Sequence, residues 1–393
     1  MKKIKVLVIF GTRPEAVKMA PLCMALRNDV RFETRICLTG QHREMLDQVL
    51  EVFELKGDYD LKVMRQGQDL SELTSNILIG LKPIMEGFSP DICLVHGDTT
   101  TSMAASLASF YARIPTGHVE AGLRTKDLFS PWPEEGNRRV NTALNALHFA
   151  PTLESFDNLV IEGVNPSSII LTGNTVIDAL NIAVMKLQSN PSLVLEMANK
   201  FSFIKSSRKM LLVTGHRREN IGEGLDGVSK ALSIIAKRYP CLDIVYAMHM
   251  NPAVQISVKK YLGEQKNVHL IGPQNYMAFI YLMQSSTLIL TDSGGIQEEA
   301  PALGKPVLVF RETTERPEAV RAGCAKLVGL SDQNILREVE NLITNEQERI
   351  RMSQVSNPYG DGFASAKILE SLVKYFEKIH HKQVNSKYRE ENF

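Results

Sequence analysis

Little in this 393-residue chain suits oxidation, a membrane or a polyanion. The five cysteines, Cys23, Cys37, Cys93, Cys241 and Cys324, are odd in number and far apart, with no C-x-x-C pair. That excludes a disulfide framework and a structural zinc site, and it points to a reducing cytoplasm. No apolar run approaches the ~18 residues needed to cross a bilayer, so no membrane partner is expected. The opening MKKIKVLVIF imitates a secretion signal, but its apolar stretch stops at Phe10 and the charged, proline-containing GTRPEAVK follows. It is expected to be a buried strand. Charge of one sign is missing as well: 45 Lys and Arg against 44 Asp and Glu leave +1, which argues against a whole-molecule field for nucleic acid or anionic lipid. An anionic ligand must be met by a local pocket. Neither a G-x-G-x-x-G fingerprint nor a Walker loop occurs, which removes the main support for nicotinamide and P-loop chemistry. No H-x-x-H or carboxylate pairing at metal spacing is present, so no metal and no cofactor are expected.

What is present is a 44% hydrophobic content, enough for an ordinary core and two domains. Short β-rich runs alternate with amphipathic stretches of ten or more residues, the pattern of parallel sheets with crossover helices. Strands are expected at Lys5 to Phe10, Thr34 to Leu38, Asp91 to His96, Thr116 to Val119, Leu147 to Ala150 and Ile169 to Leu171. Helical patterns follow at Pro14 to Arg27, His42 to Phe53, Thr99 to Tyr111, Glu134 to Asn145 and Leu153 to Glu162. A second series, Lys209 to Thr214, Asp243 to Met248, Asn267 to Leu270, Thr287 to Leu290, Pro306 to Phe310 and Ala325 to Val328, supplies another sheet. The expectation is α/β: two Rossmann-like domains, 1–175 and 205–360, around a central cleft, with a last helix at about 364–378 that can pack on either. Residues His380 to Phe393 are polar and expected to fray.

Ligands of open parallel sheets bind beyond the carboxyl ends of the strands, so the residues just past each strand matter most. The first strand runs into Gly11-Thr12-Arg13-Pro14-Glu15, with Lys18 one turn into the helix. The glycine permits a tight turn and two cations overlook a helix amino end, which suits a phosphate; a solvated helix start accounts for the same residues equally well. His96-Gly97-Asp98-Thr99 and His118-Val119-Glu120-Ala121 each put an acid at a strand's carboxyl end. Asp98 before threonines is also how a helix is capped. Pro133-Glu134-Glu135 opens a helix, where negative charge is favoured anyway. Three carboxylates on one sheet edge suit a sugar whose protons must be moved.

In the second half, Thr214-Gly215-His216-Arg217 and His249-Met250-Asn251 follow successive strands. Each histidine equally suits an interior or loop role. The most specific segment is Thr291-Asp292-Ser293-Gly294-Gly295-Ile296-Gln297-Glu298-Glu299, between a buried strand and a helix. Ser293, Gly294 and Gly295 offer backbone amides at a helix amino end, which cradles a diphosphate, and Glu299 one turn later reaches ribose hydroxyls. The alternative is a turn that happens to carry two glycines. Arg316, in the polar ETTERPEA, is by itself equally compatible with a surface position.

Taken together and in order, FGTRPEAVKMAP, HGDTTTS, GHVEAGLRT, SPWPEEGNRR, TGNTVIDAL, TGHRREN, TDSGGIQEEAPALGKPVLV and ETTERPEA resemble the non-hydrolysing UDP-N-acetylglucosamine 2-epimerases over about residues 4 to 375. The resemblance implies a glycosyltransferase B-type fold and reversible inversion at carbon-2 between UDP-N-acetylglucosamine and UDP-N-acetylmannosamine. It implies elimination and re-addition of UDP through a 2-acetamidoglucal, a homodimer, and supply of N-acetylmannosamine for bacterial surface polysaccharide. By motif, Asp98, Glu120, Glu134 and His216 fall at the reacting sugar; Arg13 and Lys18 line the cleft; Ser293, Gly294, Gly295 and Glu299 hold diphosphate and ribose; Gln274, Phe279 and Arg316 complete the nucleotide site. Some relatives are activated by a second substrate molecule. Here Gln41 is kept, but Glu44 replaces a second glutamine and Gly67 an arginine, which argues against that activation.

Other classes share these features. A UDP-sugar glycosyltransferase has the same fold but needs an acceptor face and leaves the three acids surplus. A hydrolysing epimerase usually carries a kinase domain that this length cannot accommodate. A binding module would use the nucleotide site without catalysis.

Overall fold

The structure is a computed structural model, and it describes residues 3–40, 43–65, 67–215 and 222–390. The chain divides into two compact units, Met1–Ala179 with Tyr359–Phe393, and Leu180–Pro358.

In the first unit β1 (Ile4–Phe10) leads to α1 (Arg13–Asn28), β2 (Phe32–Leu38), α2 (Arg43–Val52), β3 (Tyr59–Asp60), α3 (Leu70–Phe88), β4 (Ile92–His96) and α4 (Thr100–Tyr111). Then come β5 (Thr116–Val119), α5 (Glu134–Leu144), β6 (Leu147–Ala150), α6 (Leu153–Ile161), β7 (Ile169–Leu171) and α7 (Thr175–Ser189), which runs on into the second unit. The sheet order is β3-β2-β1-β4-β5-β6-β7, with every pairing parallel. β1 and β4 read as continuous apolar runs because helices cover both faces of such a sheet. Leu7, Ile9, Val95 and Ala104 form one core with Leu73, Ile77, Leu81 and Met85 of α3.

The second unit contains α8 (Pro191–Lys200), β8 (Lys209–Gly215), α9 (Glu223–Arg238), β9 (Leu242–Met248), α10 (Pro252–Leu262), β10 (Val268–Ile271), α11 (Tyr276–Ser285) and β11 (Leu288–Thr291). It continues with α12 (Gly294–Ala302), β12 (Val307–Val309), α13 (Pro317–Ala322), β13 (Ala325–Leu327), α14 (Asp332–Thr344) and α15 (Glu346–Ser353). Its parallel order is β10-β9-β8-β11-β12-β13. In both sheets the strand order reverses beside the first strand, the topological switch at which α/β sheets bind ligands.

Three expectations need correction. No element was expected between Phe53 and Asp91, yet β3 and the 19-residue α3 lie there. The helix has a regular apolar stripe and an Asp69–Glu72 capping box; the interior proline, Pro83, is exposed on the far side and does not end it. The last helix, α16 (Ala364–Glu390), runs well past Lys378, so the segment from His380 is helical as far as Glu390. It belongs to the first unit, where Glu370 pairs with Arg31 at 2.7 Å.

Candidate active site

Side-chain bonds fix the end of β1. A Cβ on Gly11 would lie 1.8 Å from Thr39 Oγ1, so the residue must be glycine for β1 to sit beside that loop. Thr12 caps α1, and Glu15 accepts the Gly11 and Thr12 amides at 3.0 and 2.8 Å and the Thr99 hydroxyl at 2.7 Å. Burial raises the Glu15 carboxyl above the usual range, and these bonds, led by that of Thr99, oppose the rise. The same residue therefore ties the β1 loop to the start of α4. Arg13 begins α1, half-buried. Lys18 is buried and forms an ion pair with Glu120 instead of overlooking the helix amino end.

Asp98 and Glu120 follow neighbouring strands, held together by Gly97 N–H donating to Val119 O at 2.9 Å. Thr99, not Asp98, caps α4, so the capping role does not apply to Asp98. Arg138 reaches its carboxylate with Nε at 2.9 Å and Nη2 at 2.6 Å, and Asn137 donates to its carbonyl at 2.8 Å. Glu120 has φ 63°, a left-handed backbone that is costly for a side chain of this size and common where geometry serves a function. Its Oε2 receives the Lys18 ammonium and Asn174 Nδ2, the latter at 2.6 Å.

Glu134 opens α5, the helix that carries Arg138 one turn later. The arginine thereby links Glu134's helix to Asp98. Glu134 Oε2 is buried with no hydrogen-bond partner among the described residues. A buried carboxylate oxygen in that state is costly unless a ligand completes it.

In the second unit α12 starts at the glycine pair, with Ser293 as its cap residue but no capping bond from that side chain. A Cβ on Gly295 would meet only Glu299 Oε1, at 3.7 Å, which places Glu299 over the helix start. The ETTERPEA loop is fastened to this helix twice: Thr314 donates to Gln297 at 2.7 Å, and Arg316 pairs with the buried Glu298. Arg316 is therefore a buried, ion-paired residue and not part of the surface. Gln274 donates to Gly272 O at 2.8 Å, and half-buried Phe279 lies in the first turn of α11. His249 sits in an exposed turn where its Nδ1 accepts the Asn251 amide at 3.2 Å. His216 lies outside the described residues, as do Gln41 and the side chain of Glu44. Gly67 has φ 76°, a conformation an arginine would adopt only with strain.

Sequence reasoning passed over Arg138, Asn174 and His96. All three stand inside segments already singled out, but their partners lie 40, 54 and 24 positions away, and only the fold brings them together. Among the described residues there is no group of His, Cys, Asp and Glu arranged for a metal, and no helix long and apolar enough to cross a membrane.

Comparison with known proteins gives one consistent picture. A family model described as UDP-N-acetylglucosamine 2-epimerase matches residues 24–373. The chain is similar to the UDP-N-acetylglucosamine 2-epimerase of Escherichia coli strain K12, with 56% identity over 94% of this chain and 98% of the relative. It is similar to the crystal structure of the Neisseria meningitidis UDP-GlcNAc 2-epimerase bound to UDP-GlcNAc, at 52% identity and TM-score 0.89, over 94% of this chain and 100% of that one. It is also similar to the Methanocaldococcus jannaschii enzyme in complex with UDP-GlcNAc and UDP, at 31% identity and TM-score 0.78, over the same 94% and 100%.

Proposed function

The chain belongs to the UDP-N-acetylglucosamine 2-epimerase family, and from that premise we propose how its residues carry out the reaction. The enzyme is an isomerase that epimerises UDP-N-acetylglucosamine, on a glycosyltransferase B-type fold. The proposed product is UDP-N-acetylmannosamine. Carbon-2 carries an unactivated hydrogen with no neighbouring carbonyl, so the bond to be weakened first is the one from carbon-1 to UDP. As UDP leaves with the electron pair of that bond, a carboxylate takes the carbon-2 proton and the C–H pair becomes the double bond of a 2-acetamidoglucal. UDP then returns to carbon-1 while a second carboxylate protonates carbon-2 from the other face. Asp98, Glu120 and Glu134 move the protons, and His216 is assigned to the reacting sugar by its motif alone.

On this reading the amides of Ser293, Gly294 and Gly295 bind the departing diphosphate, because fixed dipoles at a helix amino end stabilise a developing anion without reorganising. Glu299 takes the ribose; Gln274, Phe279 and Arg316 complete the nucleotide contacts, and Arg13 and Lys18 complete the sugar side. The enzyme acts in the cytoplasm as a homodimer and supplies N-acetylmannosamine units for a surface polysaccharide.

The observation that supports the reading is that the three carboxylates are differently partnered: Asp98 after β4 on Arg138, Glu120 after β5 on Lys18 and Asn174, and Glu134 at the start of α5 with a buried oxygen unbonded among the described residues. The test is proton NMR of UDP-N-acetylglucosamine with enzyme in deuterated water. Deuterium at carbon-2 of both intact nucleotide sugars is expected, and Asp98→Asn, Glu120→Gln and Glu134→Gln should each lower turnover by at least ~100-fold, the usual contribution of proton transfer. Near-normal turnover in all three variants, or release of free sugar, would reject the mechanism.

A further inference from the structure

His96 ends β4 beside this cluster and is buried. Among the described residues neither of its ring nitrogens has a hydrogen-bond partner. Nε2 lies 3.8 Å from Glu120 Oε2, about 0.6 Å beyond hydrogen-bond range. Burial brings the imidazole down to about 4; Glu120 and Asp98 pull it up, Lys18 pushes it further down, and it is neutral at physiological pH. A neutral imidazole carries one donor and one acceptor. With both unmet in a desolvated position it is a poor way to fill a core, since an apolar side chain of similar shape would be at least as stable. The residue is better explained by a partner that appears during the reaction.

We propose that His96 is a positioning residue for the carbon-2 proton: its unprotonated Nε2 accepts a hydrogen bond from the Glu120 carboxyl group once that group has taken the proton. The inference rests on Glu120 as one of the proton-carrying carboxylates. In the resting state Glu120 Oε2 faces the Lys18 ammonium and the Asn174 amide, both donors, which suits an ionised carboxylate. When the C–H bond breaks and its proton becomes the Glu120 O–H, that group needs an acceptor, and Lys18 and Asn174 offer it none. His96 Nε2, 3.8 Å from that same Oε2, supplies one. The proton stays on Glu120, because imidazolium is disfavoured by burial and by Lys18, and it remains available for return to carbon-2 in the reverse direction. A shift of about 0.6 Å by either side chain closes the gap.

The test combines His96→Leu, His96→Asn and Glu120→Gln. His96→Leu is expected to fold with unchanged or higher thermal stability, to bind UDP as before in calorimetry, and to keep KM within about threefold while kcat falls at least ~10-fold. His96→Asn, whose amide oxygen can accept, should recover part of that loss. In the Glu120→Gln background, which never forms the O–H, either His96 change should cost little more. Wild-type kcat in His96→Leu, or a loss that adds in full to that of Glu120→Gln, would overturn the proposal. Should His96→Leu fail to fold, the same comparison of His96→Asn in the two backgrounds decides. Normal turnover in Glu120→Gln itself would instead remove the reading of Glu120 on which the inference stands.

Discussion

A methyl group at Gly215 would lie 2.3 Å from Phe310 Cζ, whereas at Gly295 it would meet only Glu299 Oε1, at 3.7 Å. The first glycine is required by the fold; among the described residues nothing requires the second. A glycine in the first turn of a helix is a mild liability, so its bare backbone is best understood as room for a ligand. Gly295→Ala should therefore leave the melting temperature unchanged or slightly higher without ligand, and weaken UDP binding at least ~10-fold in calorimetry, with Glu299→Ala weakening it too. Unchanged UDP affinity in both would remove this loop from the nucleotide site. The glycine pair was legible in the sequence because strand, glycines and helix are consecutive. The burial of Arg316 was not legible in the same way, because its partner, the buried Glu298, is 18 positions away and across a strand. Among the five thiols only Cys241 is exposed, and burial pushes Cys23, Cys37 and Cys93 up to about 12.

At the scale of elements, β4, β5 and β6 form a row that carries His96, His118 and His148, with His118 and His148 as register partners. Burial is the chief cause that holds them down, to about 4, 3 and 4 respectively, against 6.5 for an exposed imidazole. These folded values lie below the unfolded one. As pH falls below 6.5 the unfolded chain takes up protons that the folded sheet refuses, so stability is full above that pH and declines down to the folded values. Each histidine adds about 1.4 kcal/mol per pH unit to the decline within that window. Glu15 and Asp178, raised by burial, act in the opposite sense and offset part of it. Urea unfolding free energy should drop between pH 6.5 and 4.5, and His148→Leu should flatten the slope by about one proton; an identical slope in the variant would refute the account. Strand positions were readable from apolar runs. The helix α3 was not, because Pro83 signals a break unless one knows that it faces outward from the core.

At the scale of the whole molecule, the chain leaves the first unit after Ala179 and returns at Tyr359. The return is fastened at two points. Asn174 N–H donates to Tyr359 O at 2.7 Å, and the buried Asp178 carboxylate accepts the Ala364 and Ser365 amides at 3.2 and 2.8 Å, capping α16. Gly173, with φ 87°, lies so close to the returning chain that a Cβ would be 3.2 Å from Gly360 Cα. Losing a side-chain cap costs about 1–2 kcal/mol. Asp178→Ala should lower stability by that order and speed amide exchange along α16, leaving the strands of the second sheet as protected as before. Unchanged exchange in α16 would show that its packing on α1 suffices.

Whatever depends on neighbours in sequence was determined by the sequence itself: the buried parallel strands, the glycine-containing helix starts after β1 and β11, the absence of dinucleotide and P-loop turns, and the ordered motifs that mark the family. Turn chemistry and apolar periodicity act over a few residues, so they can be read there. Tertiary structure alone decided which charges meet. Lys18 pairs with Glu120 across 102 positions and Arg138 with Asp98 across 40. Among the described residues His96 stands unbonded beside Glu120, because parallel register brings the ends of β4 and β5 together. A carboxylate's role follows from the partners it keeps. In a parallel sheet those partners arrive from separate crossovers, and the spacing of residues along the chain carries no record of the meeting.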